Sequence, residues 1–267
     1  MKIGILYIAI GKYSTFFKDF YETCEKYFLP NSKKEYYIFT DNDLEEYYNF
    51  SNIKIIKEKD YGWPGNTLYR FHMFKKVENL LKENNFLFFF NSNYKFINYI
   101  YENEILKKDI LINLFWKKVN EKPRHKFSYD RNPKSQAFID FDQGNFYYQG
   151  GMNGGKTELY FDLINNCIEM IEKDKKINYI PLHNDECYIN KYYLHKKIFL
   201  LDENYGMPEE WGISPNVKAI LQDKNRVLGI ENIKKQKKEL YGKNMKRYKK
   251  INKIRYIIFK IKNFFKI

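Results

Sequence analysis

The sequence predicts an α/β protein whose first 95 residues form a nucleotide-binding half. Short apolar strands alternate with helix-spaced segments through this part of the chain, which is the rhythm of β-α-β units. The run Phe86-Leu87-Phe88-Phe89-Phe90 is apolar at every position, as in a strand buried on both faces. Asn91-Ser92-Asn93 follows at the carboxyl end of that strand, where open α/β sheets bind their ligands.

The elements of this half follow one another closely. Residues 3–10 are a first strand, and Ser14 or Thr15 is a candidate cap for a helix that ends near residue 28. Two short strands follow, and then a turn cluster rich in Gly and Pro precedes a helix-spaced segment. The two strands are predicted at 36–39 and 53–56, the turn cluster at 62–66 and the helix at 67–82.

The second half is less regular. An aromatic strand ends in a run of glycines, and two helices are predicted after it. The predicted elements are a strand at 109–116, a loop at 121–131, the aromatic strand at 145–151, a helix at 156–173, a helix opening at 183–186 and a strand at 217–221.

Composition excludes several classes of protein. With 44% hydrophobic residues the chain can bury a sizeable core. Its three cysteines are odd in number and widely spaced, which excludes a disulfide framework and predicts a reducing cytoplasm. The apolar run in the first ten residues is too short to span a membrane and lacks a cleavage site, so it predicts a strand rather than a signal peptide.

The net charge of +14 is concentrated at one end of the chain. Residues 233–267 contain 14 Lys and Arg against one acid, whereas residues 1–232 contain 33 basic and 32 acidic residues. The sequence therefore predicts a nearly neutral globular domain at 1–232 and a basic tail with a partner of its own.

The tail combines its charge with an apolar periodicity. Ile and Phe residues recur at helical spacing, at Ile251, Ile254, Ile257 or Ile258, Ile261, and Phe264 or Phe265. Lys and Arg would fill the other face, which predicts an interfacial helix attracted to anionic lipid. A disordered basic tail is the alternative. Nucleic-acid binding is not expected, because the rest of the chain is nearly neutral.

Six segments carry a specific resemblance. They are Ala9-Ile10-Gly11-Lys12-Tyr13, Gly62-Trp63-Pro64 before a helix with Arg70, Asn91-Ser92-Asn93, Phe127-Ser128-Tyr129-Asp130-Arg131, Phe146-Tyr147-Tyr148-Gln149-Gly150-Gly151 and Asp185-Glu186-Cys187-Tyr188-Ile189-Asn190-Lys191-Tyr192. In this order and spacing, the set resembles glycosyltransferase family 6 over roughly residues 2–226. That family contains the histo-blood-group A and B transferases, the α-1,3-galactosyltransferases and bacterial relatives, and the bacterial members commonly carry Asn-x-Asn.

The resemblance implies a GT-A fold, with a nucleotide-binding half at about 1–95 and a donor-sugar and acceptor half at about 96–232. It also implies retaining transfer of a sugar from UDP to the 3-hydroxyl of an acceptor galactose. Asn amides bring no negative charge for a hard cation, so no divalent metal is expected. Lys224 and Arg226, with Arg70, would offset the charge of the departing UDP instead, and an ordinary charged loop is the alternative for Lys224 and Arg226.

The resemblance also assigns the donor site. Ile8, Ala9, Ile10 and Tyr13 would border the uracil, Arg70 would bind the donor, and Asn91 and Asn93 would face the ribose and diphosphate. Asp185 would bind the donor sugar, and Glu186 would be the essential carboxylate beside the anomeric carbon, as nucleophile or as stabiliser of an oxocarbenium-like centre. The alternatives are an ordinary turn at Asn91-Ser92-Asn93, a solvated helix charge at Arg70 and ordinary first-turn acids at 185–186.

Gln149-Gly150-Gly151 matches the segment that selects the donor sugar. A glycine at its third position leaves room for a 2-acetamido group, so Gly151 favours UDP-GalNAc over UDP-Gal. Gln149 departs from the residues that related enzymes often place there.

The acceptor side matches less closely. Trp116, Ser128 and Trp211 correspond to acceptor-contacting segments, and His183-Asn184 stands where the animal enzymes have Trp-His. A different acceptor is therefore expected, still a galactose-terminated oligosaccharide or glycolipid.

The resulting prediction is a metal-independent α-1,3-N-acetylgalactosaminyltransferase, cytoplasmic and peripheral on the inner face of the membrane. An α-1,3-galactosyltransferase is the alternative of the same class. A non-catalytic lipid- or nucleic-acid-binding protein acting through the tail is the alternative of another class.

Overall fold

The computed structural model describes residues 1–229, 250–262 and 264. The part of the predicted tail at 233–249, together with residues 263 and 265–267, lies outside the described residues. The described chain is a mixed α/β structure with a large sheet covered by helices, which confirms the predicted fold class.

The elements are labelled in chain order. The strands are β1 Lys2–Ile8, β2 Lys33–Thr40, β3 Ile53–Lys57, β4 Phe86–Phe90, β5 Tyr94–Phe96, β6 Leu111–Phe115, β7 Tyr148–Lys156, β8 Ile198–Leu201, β9 Met207–Pro208 and β10 Ala219–Leu221. The helices are α1 Phe17–Tyr27, α2 Gly62–Leu68, α3 Arg70–Lys76, α4 Glu78–Leu81, α5 Glu102–Ile105, α6 Lys117–Asn120, α7 Thr157–Lys176, α8 Asn184–Tyr193, α9 Lys224–Leu228 and α10 at 250–262.

The large sheet has seven strands in the order β3-β2-β1-β4-β7-β6-β8. β1 and β4 are parallel, whereas β7 runs antiparallel to both of its neighbours, β4 and β6. Phe90 therefore pairs with Met152, and Phe115 pairs with Tyr148. This register brings the carboxyl ends of β1, β4 and β6 and the amino end of β7 to one edge of the sheet, which we call the site edge.

Strand β4 lies at the centre of the core, as its sequence predicts. Phe86, Phe88 and Phe90 belong to the apolar cluster on the α1 side, and Leu87 and Phe89 belong to the cluster beneath α3, α7 and α8. All five side chains are buried, which agrees with the absence of polar residues from the strand.

A smaller three-stranded sheet, ordered β5-β10-β9, extends the site edge. β5 begins just after Asn91-Ser92-Asn93, and β10 leads into α9. The side chain of Asn93 donates to the carbonyl of Gln222 at 2.7 Å, and the N–H of Gln222 donates to the carbonyl of Asn93 at 2.8 Å. The two sheets are thus joined beside the end of β4.

Two local predictions are wrong. Ser14 and Thr15 do not cap α1, because residues 11–16 form a 3₁₀ helix whose first residue is held by the Asp41 and Asn42 side chains beyond β2. The segment 62–66 is not a simple turn but belongs to α2, which is kinked at Trp63.

Two predicted boundaries also differ from the structure. The helix expected at 67–82 is broken at Tyr69 and Val77 into the end of α2, then α3 and α4. The glycines expected to terminate the strand at 145–151 instead lie within β7.

The described part of the basic tail is helical, as predicted for residues 250–262. No helix among residues 1–229, 250–262 and 264 is long and apolar enough to cross a membrane.

Candidate active site

The site edge contains a corner built from the end of β4, the start of β7 and the first turn of α8. The N–H of Gly150 donates to Oε2 of Glu186 at 2.6 Å, and the N–H of Asn91 donates to the carbonyl of Gly151 at 2.8 Å. A β-carbon at position 150 would lie 3.2 Å from Glu186 Oε2, and one at position 151 would lie 3.1 Å from Asn91 Nδ2. Gly150 and Gly151 therefore form a surface without side chains between Asn91 and Glu186, which we call the glycine floor.

The Glu186 carboxylate is held at both oxygens. The Tyr147 hydroxyl donates to Oε1, and the Gly150 N–H donates to Oε2. Burial raises the pKa of Glu186, and these two hydrogen bonds act against the rise because they favour the charged form. The carboxylate is thus fixed in orientation at the edge of the glycine floor.

Tyr147 is a site residue that the sequence reasoning missed. Its ring packs with Phe127 and Tyr129, and its backbone is held by the Asn120 side chain, which accepts from Tyr147 N–H at 2.6 Å and donates to its carbonyl at 3.1 Å. Burial raises the pKa of Tyr147 well above its usual value, so the hydroxyl stays a donor. The aromatic segment 146–148 was the only sequence signal for it.

Arg70 and Asp185 form a buried ion pair behind the glycine floor. Arg70 Nη2 lies 3.0 Å from Asp185 Oδ2, and Nη1 donates to the Gly150 carbonyl at 2.8 Å. The guanidinium carbon lies 4.2 Å from the centre of the Phe89 ring, and Arg70 is only 1% exposed. The alternative of a solvated helix charge at Arg70 is therefore wrong.

Asp185 differs from an ordinary first-turn acid. Burial raises the pKa of Asp185 to about 6, while the positive charge of Arg70 acts in the opposite direction. The Glu186 charge adds to the rise. Two neighbouring carboxyl groups are thus kept in one buried corner, with a single guanidinium in contact with the first of them.

The residues predicted to border the uracil lie at the end of β1. Ala9 and Ile10 are buried, Ile8 is partly buried, and Tyr13 lies in the 3₁₀ turn that follows. Lys224 Nζ lies 5.2 Å from the centre of the Tyr13 ring, so α9 reaches over this turn. Arg226, two residues further along α9, is instead paired with Glu209 at 2.8 Å.

Two residues predicted to bind the donor are engaged with the protein itself. Asn93 is buried and donates to Gln222. Gln149 is buried in β7, and its main-chain carbonyl accepts from Asn113 Nδ2 at 2.8 Å. Asn91, by contrast, is partly exposed beside Gly151.

The residues predicted for the acceptor lie further along the same edge. Trp116 follows β6, its Nε1 donates to the Gly206 carbonyl at 3.0 Å, and its ring centre lies 5.1 Å from that of Trp211. His183 precedes α8, and its carbonyl accepts from the Glu186 N–H at 3.1 Å. Ser128 is exposed between Phe127 and Tyr129, the two rings that pack on Tyr147.

The corner contains amides where a hard cation would need carboxylates. Within the described ranges, no three His, Cys, Asp or Glu side chains are grouped so that they could hold a metal ion. Asn91 and Asn93 occupy the loop after β4.

The buried ion pair leads to a prediction about stability. Arg70→Met leaves the Asp185 carboxylate without its partner, so the free energy of unfolding should fall by about 3–5 kcal/mol in urea titrations at neutral pH. The double variant Arg70→Met/Asp185→Asn should recover at least about 1 kcal/mol of that loss, because the uncompensated charge is gone.

Lys75→Met provides the matched control. Lys75 lies on the same helix, is exposed and pairs with Glu78, so its loss should change the unfolding free energy by less than about 1 kcal/mol. If Asp185→Asn adds to the damage of Arg70→Met, the two side chains are not coupled as described.

Comparison with known proteins identifies the family. The model of glycosyltransferase family 6 matches residues 1–228. The O-antigen biosynthesis glycosyltransferase WbnI of Escherichia coli is 37% identical over 235 residues, which cover 88% of this chain and all of that protein. The rat histo-blood group ABO system transferase 1 is 31% identical over 76% of this chain and 60% of its own length.

A more distant relative has a name that states its reaction. The human globoside alpha-1,3-N-acetylgalactosaminyltransferase 1 is 27% identical over 82% of this chain and 65% of its own length. These findings confirm the resemblance and the expectation of a hexosyltransferase, and the chain belongs to glycosyltransferase family 6.

Proposed function

We propose that this chain is a metal-independent, retaining α-1,3-N-acetylgalactosaminyltransferase that uses UDP-GalNAc. The observation that carries the proposal is the glycine floor beside Glu186. No side chain from position 150 or 151 fills the space between Asn91 and the Glu186 carboxylate. A donor sugar at this corner would have its anomeric carbon near a fixed carboxylate and room for a 2-acetamido group.

Each part of the donor has a matching group along the site edge. The uracil would lie at the end of β1 beside Tyr13, and the diphosphate would lie at the end of β4 beside Asn91. The sugar would lie over the glycine floor, toward Glu186. The acceptor galactose would approach from the side of Trp116 and Trp211, whose rings are apolar surfaces of the kind that sugars stack on.

The reaction breaks the bond between the anomeric carbon and the UDP oxygen, and the oxygen leaves with the electron pair. A new bond forms from the anomeric carbon to the acceptor 3-oxygen, whose proton would pass to the departing UDP. Glu186 would act on the electron-poor anomeric carbon, either as a nucleophile or as a stabilising charge. Both roles require the ionised carboxylate, which Tyr147 and Gly150 support with hydrogen bonds.

The charge that develops on UDP needs a cation at the other end of the broken bond. Of the three basic residues predicted for this role, Arg70 lies behind the glycine floor and Arg226 lies beside Glu209, both away from the Tyr13 turn. Lys224 reaches the Tyr13 turn, where the nucleotide would bind. We therefore assign the leaving-group charge chiefly to Lys224.

The acceptor is proposed to be a galactose-terminated glycan, with or without fucose, carried on a glycolipid. The basic tail would hold the enzyme on the anionic cytoplasmic face of the membrane. Co-sedimentation with phosphatidylglycerol vesicles, with residues 233–267 deleted as the control, tests this. Membership of an enzyme family favours the transferase over a non-catalytic protein that binds lipid or nucleic acid through the tail.

The donor preference is tested at Gly151. The wild type should use UDP-GalNAc in preference to UDP-Gal. Gly151→Ala should lower kcat/KM for UDP-GalNAc about tenfold or more, and for UDP-Gal by less, because the added methyl crowds the acetamido group. Unfolding in urea is the control, since the nearest atom to the new carbon is the movable Asn91 amide. A wild-type preference for UDP-Gal would establish the α-1,3-galactosyltransferase alternative instead.

The role of Glu186 predicts a pH dependence. Its pKa is raised by burial, so kcat/KM should fall on the acid side at a higher pH than an ordinary glutamate would give. Tyr147→Phe removes a hydrogen bond that lowers this pKa, so the acid limb should move to higher pH. The control is Tyr148→Phe, whose ring packs on Tyr193 and should leave the limb unchanged. If the wild type and both variants give the same pH profile of kcat/KM, Tyr147 does not influence the pKa of Glu186.

The absence of a metal requirement is tested with a chelator. Transfer from UDP-GalNAc to a galactose-terminated oligosaccharide should continue in excess EDTA, and added Mn²⁺ should not raise it. Lys224→Ala should lower kcat by about a hundredfold, as the loss of a preorganised charge-stabilising group does elsewhere. Arg226→Ala should have a smaller effect because that side chain is bound to Glu209. Loss of all activity in EDTA would disprove the metal-free proposal.

A further inference from the structure

One face of α10 is attached to the globular domain. The Tyr256 ring stacks on His125 at 4.4 Å with an angle of 9° between the planes, and it lies 5.3 Å from Phe141. Phe259 lies 5.7 Å from Phe141, and Arg255 Nη1 donates to the Arg131 carbonyl at 2.8 Å. All of these contacts fall on residues 124–141, which we call the acceptor loop because it carries Ser128.

The opposite face of α10 is apolar and exposed. Ile254, Ile257, Ile258 and Ile261 are each about half exposed, at 46–51%, and Phe264 is 75% exposed. At 100° per residue, these side chains lie across the helix from Arg255, Tyr256 and Phe259. The sequence analysis expected Lys and Arg to fill that second face, but the structure has Tyr256 and Phe259 there beside Arg255.

The lysines of α10 lie mainly along the borders between the two faces. Lys253, Lys260 and Lys262 are exposed, and residues 233–267 as a whole carry 14 basic residues against one acid. A stripe of isoleucine bordered by lysine matches the boundary between acyl chains and anionic headgroups. This charge distinguishes an anionic bilayer from a second copy of the chain, which would bring the same positive charge to the contact.

We propose that α10 is a bridge that holds the acceptor loop at the surface of an anionic bilayer. Its isoleucine face enters the bilayer while its aromatic face keeps the acceptor loop attached. The orientation of the enzyme, and not only its attachment, would then be fixed, so that a lipid-borne acceptor meets the site at a constant height. This inference extends the membrane attachment suggested under the proposed function.

The first test measures binding to vesicles of phosphatidylglycerol and phosphatidylethanolamine, with phosphatidylcholine vesicles as the neutral control. The full-length chain should float with the anionic vesicles and much less with the neutral ones. The triple variant Ile254→Ser/Ile258→Ser/Ile261→Ser should bind about tenfold more weakly or worse. The double variant Tyr256→Ala/Phe259→Ala keeps the isoleucine face and should still bind.

The second test measures orientation. The three native cysteines are buried, so a cysteine at the exposed position Lys134 of the acceptor loop can be labelled selectively with a fluorophore. Spin-labelled lipid headgroups should quench this fluorophore in the otherwise wild-type chain. The quenching should be lost in the Tyr256→Ala/Phe259→Ala background, although that protein still binds. Lys54→Cys, on β3 at the far edge of the sheet, is the control position and should be quenched little.

Several outcomes would overturn the proposal. Equal quenching at positions 134 and 54, or quenching that survives the double variant, would show that α10 does not orient the domain. Light scattering that shows a dimer, reduced to a monomer by the isoleucine variant, would assign that face to a second copy. Neither assay requires activity. If the vesicle assays fail but transfer to a soluble acceptor is found, the membrane proposal is wrong and the proposed transferase stands. If the vesicle assays succeed but no transfer is found, the result counts against the proposed transferase.

Discussion

The arrangement of the candidate site depends on one buried cation. Arg70 has almost no contact with water, so its charge must be compensated within the protein, and the Asp185 carboxylate and the Gly150 carbonyl do this. These two contacts join α3 to α8 and to β7. Because Asp185 and Glu186 are neighbours in the first turn of α8, fixing the first also fixes where the second enters the site. The ion pair therefore acts on the proposed chemistry through position, at a distance from the reacting atoms.

A second constraint follows from the register of β7. Its antiparallel pairing with β4 places Gly150 and Gly151 opposite the loop that carries Asn91, where the Asn91 N–H donates to the Gly151 carbonyl. Gly150 illustrates this most clearly, since its N–H binds Glu186 and its carbonyl binds Arg70. A side chain at either glycine would meet Glu186 or Asn91. The space that a donor sugar needs is thus a result of strand pairing as much as of residue size.

The sequence was most informative where a pattern has one structural solution. The unbroken apolar run 86–90 is the buried strand that its length and aromatic content predict, and the helix predicted at 156–173 matches most of α7. It was least informative where long-range contacts override local preference. Ser14 is a good cap by type, but it lies inside a 3₁₀ helix whose first residue, Gly11, is held by side chains beyond β2. The burial of Arg70 depends on Phe89, Gly150 and Asp185. Tyr147 lies nearly forty residues before Glu186 in the chain, and no local sequence pattern indicates that its hydroxyl donates to the Glu186 carboxylate.

The replacement of carboxylates by Asn91 and Asn93 changes how a departing diphosphate can be stabilised. An amide can donate a hydrogen bond to a phosphate oxygen but cannot hold a hard cation as a carboxylate does. In the proposed metal-free transfer, positive charge would come from side chains, and the three candidate side chains lie at different places. Arg70 lies behind the glycine floor, Arg226 lies beside Glu209, and Lys224 reaches the Tyr13 turn from α9. Lys224 lies against the turn where the nucleotide would bind, whereas Arg70 is buried beneath the glycines. In this chain the buried Arg70 would hold the corner of the site in place, and Lys224 would meet the leaving group.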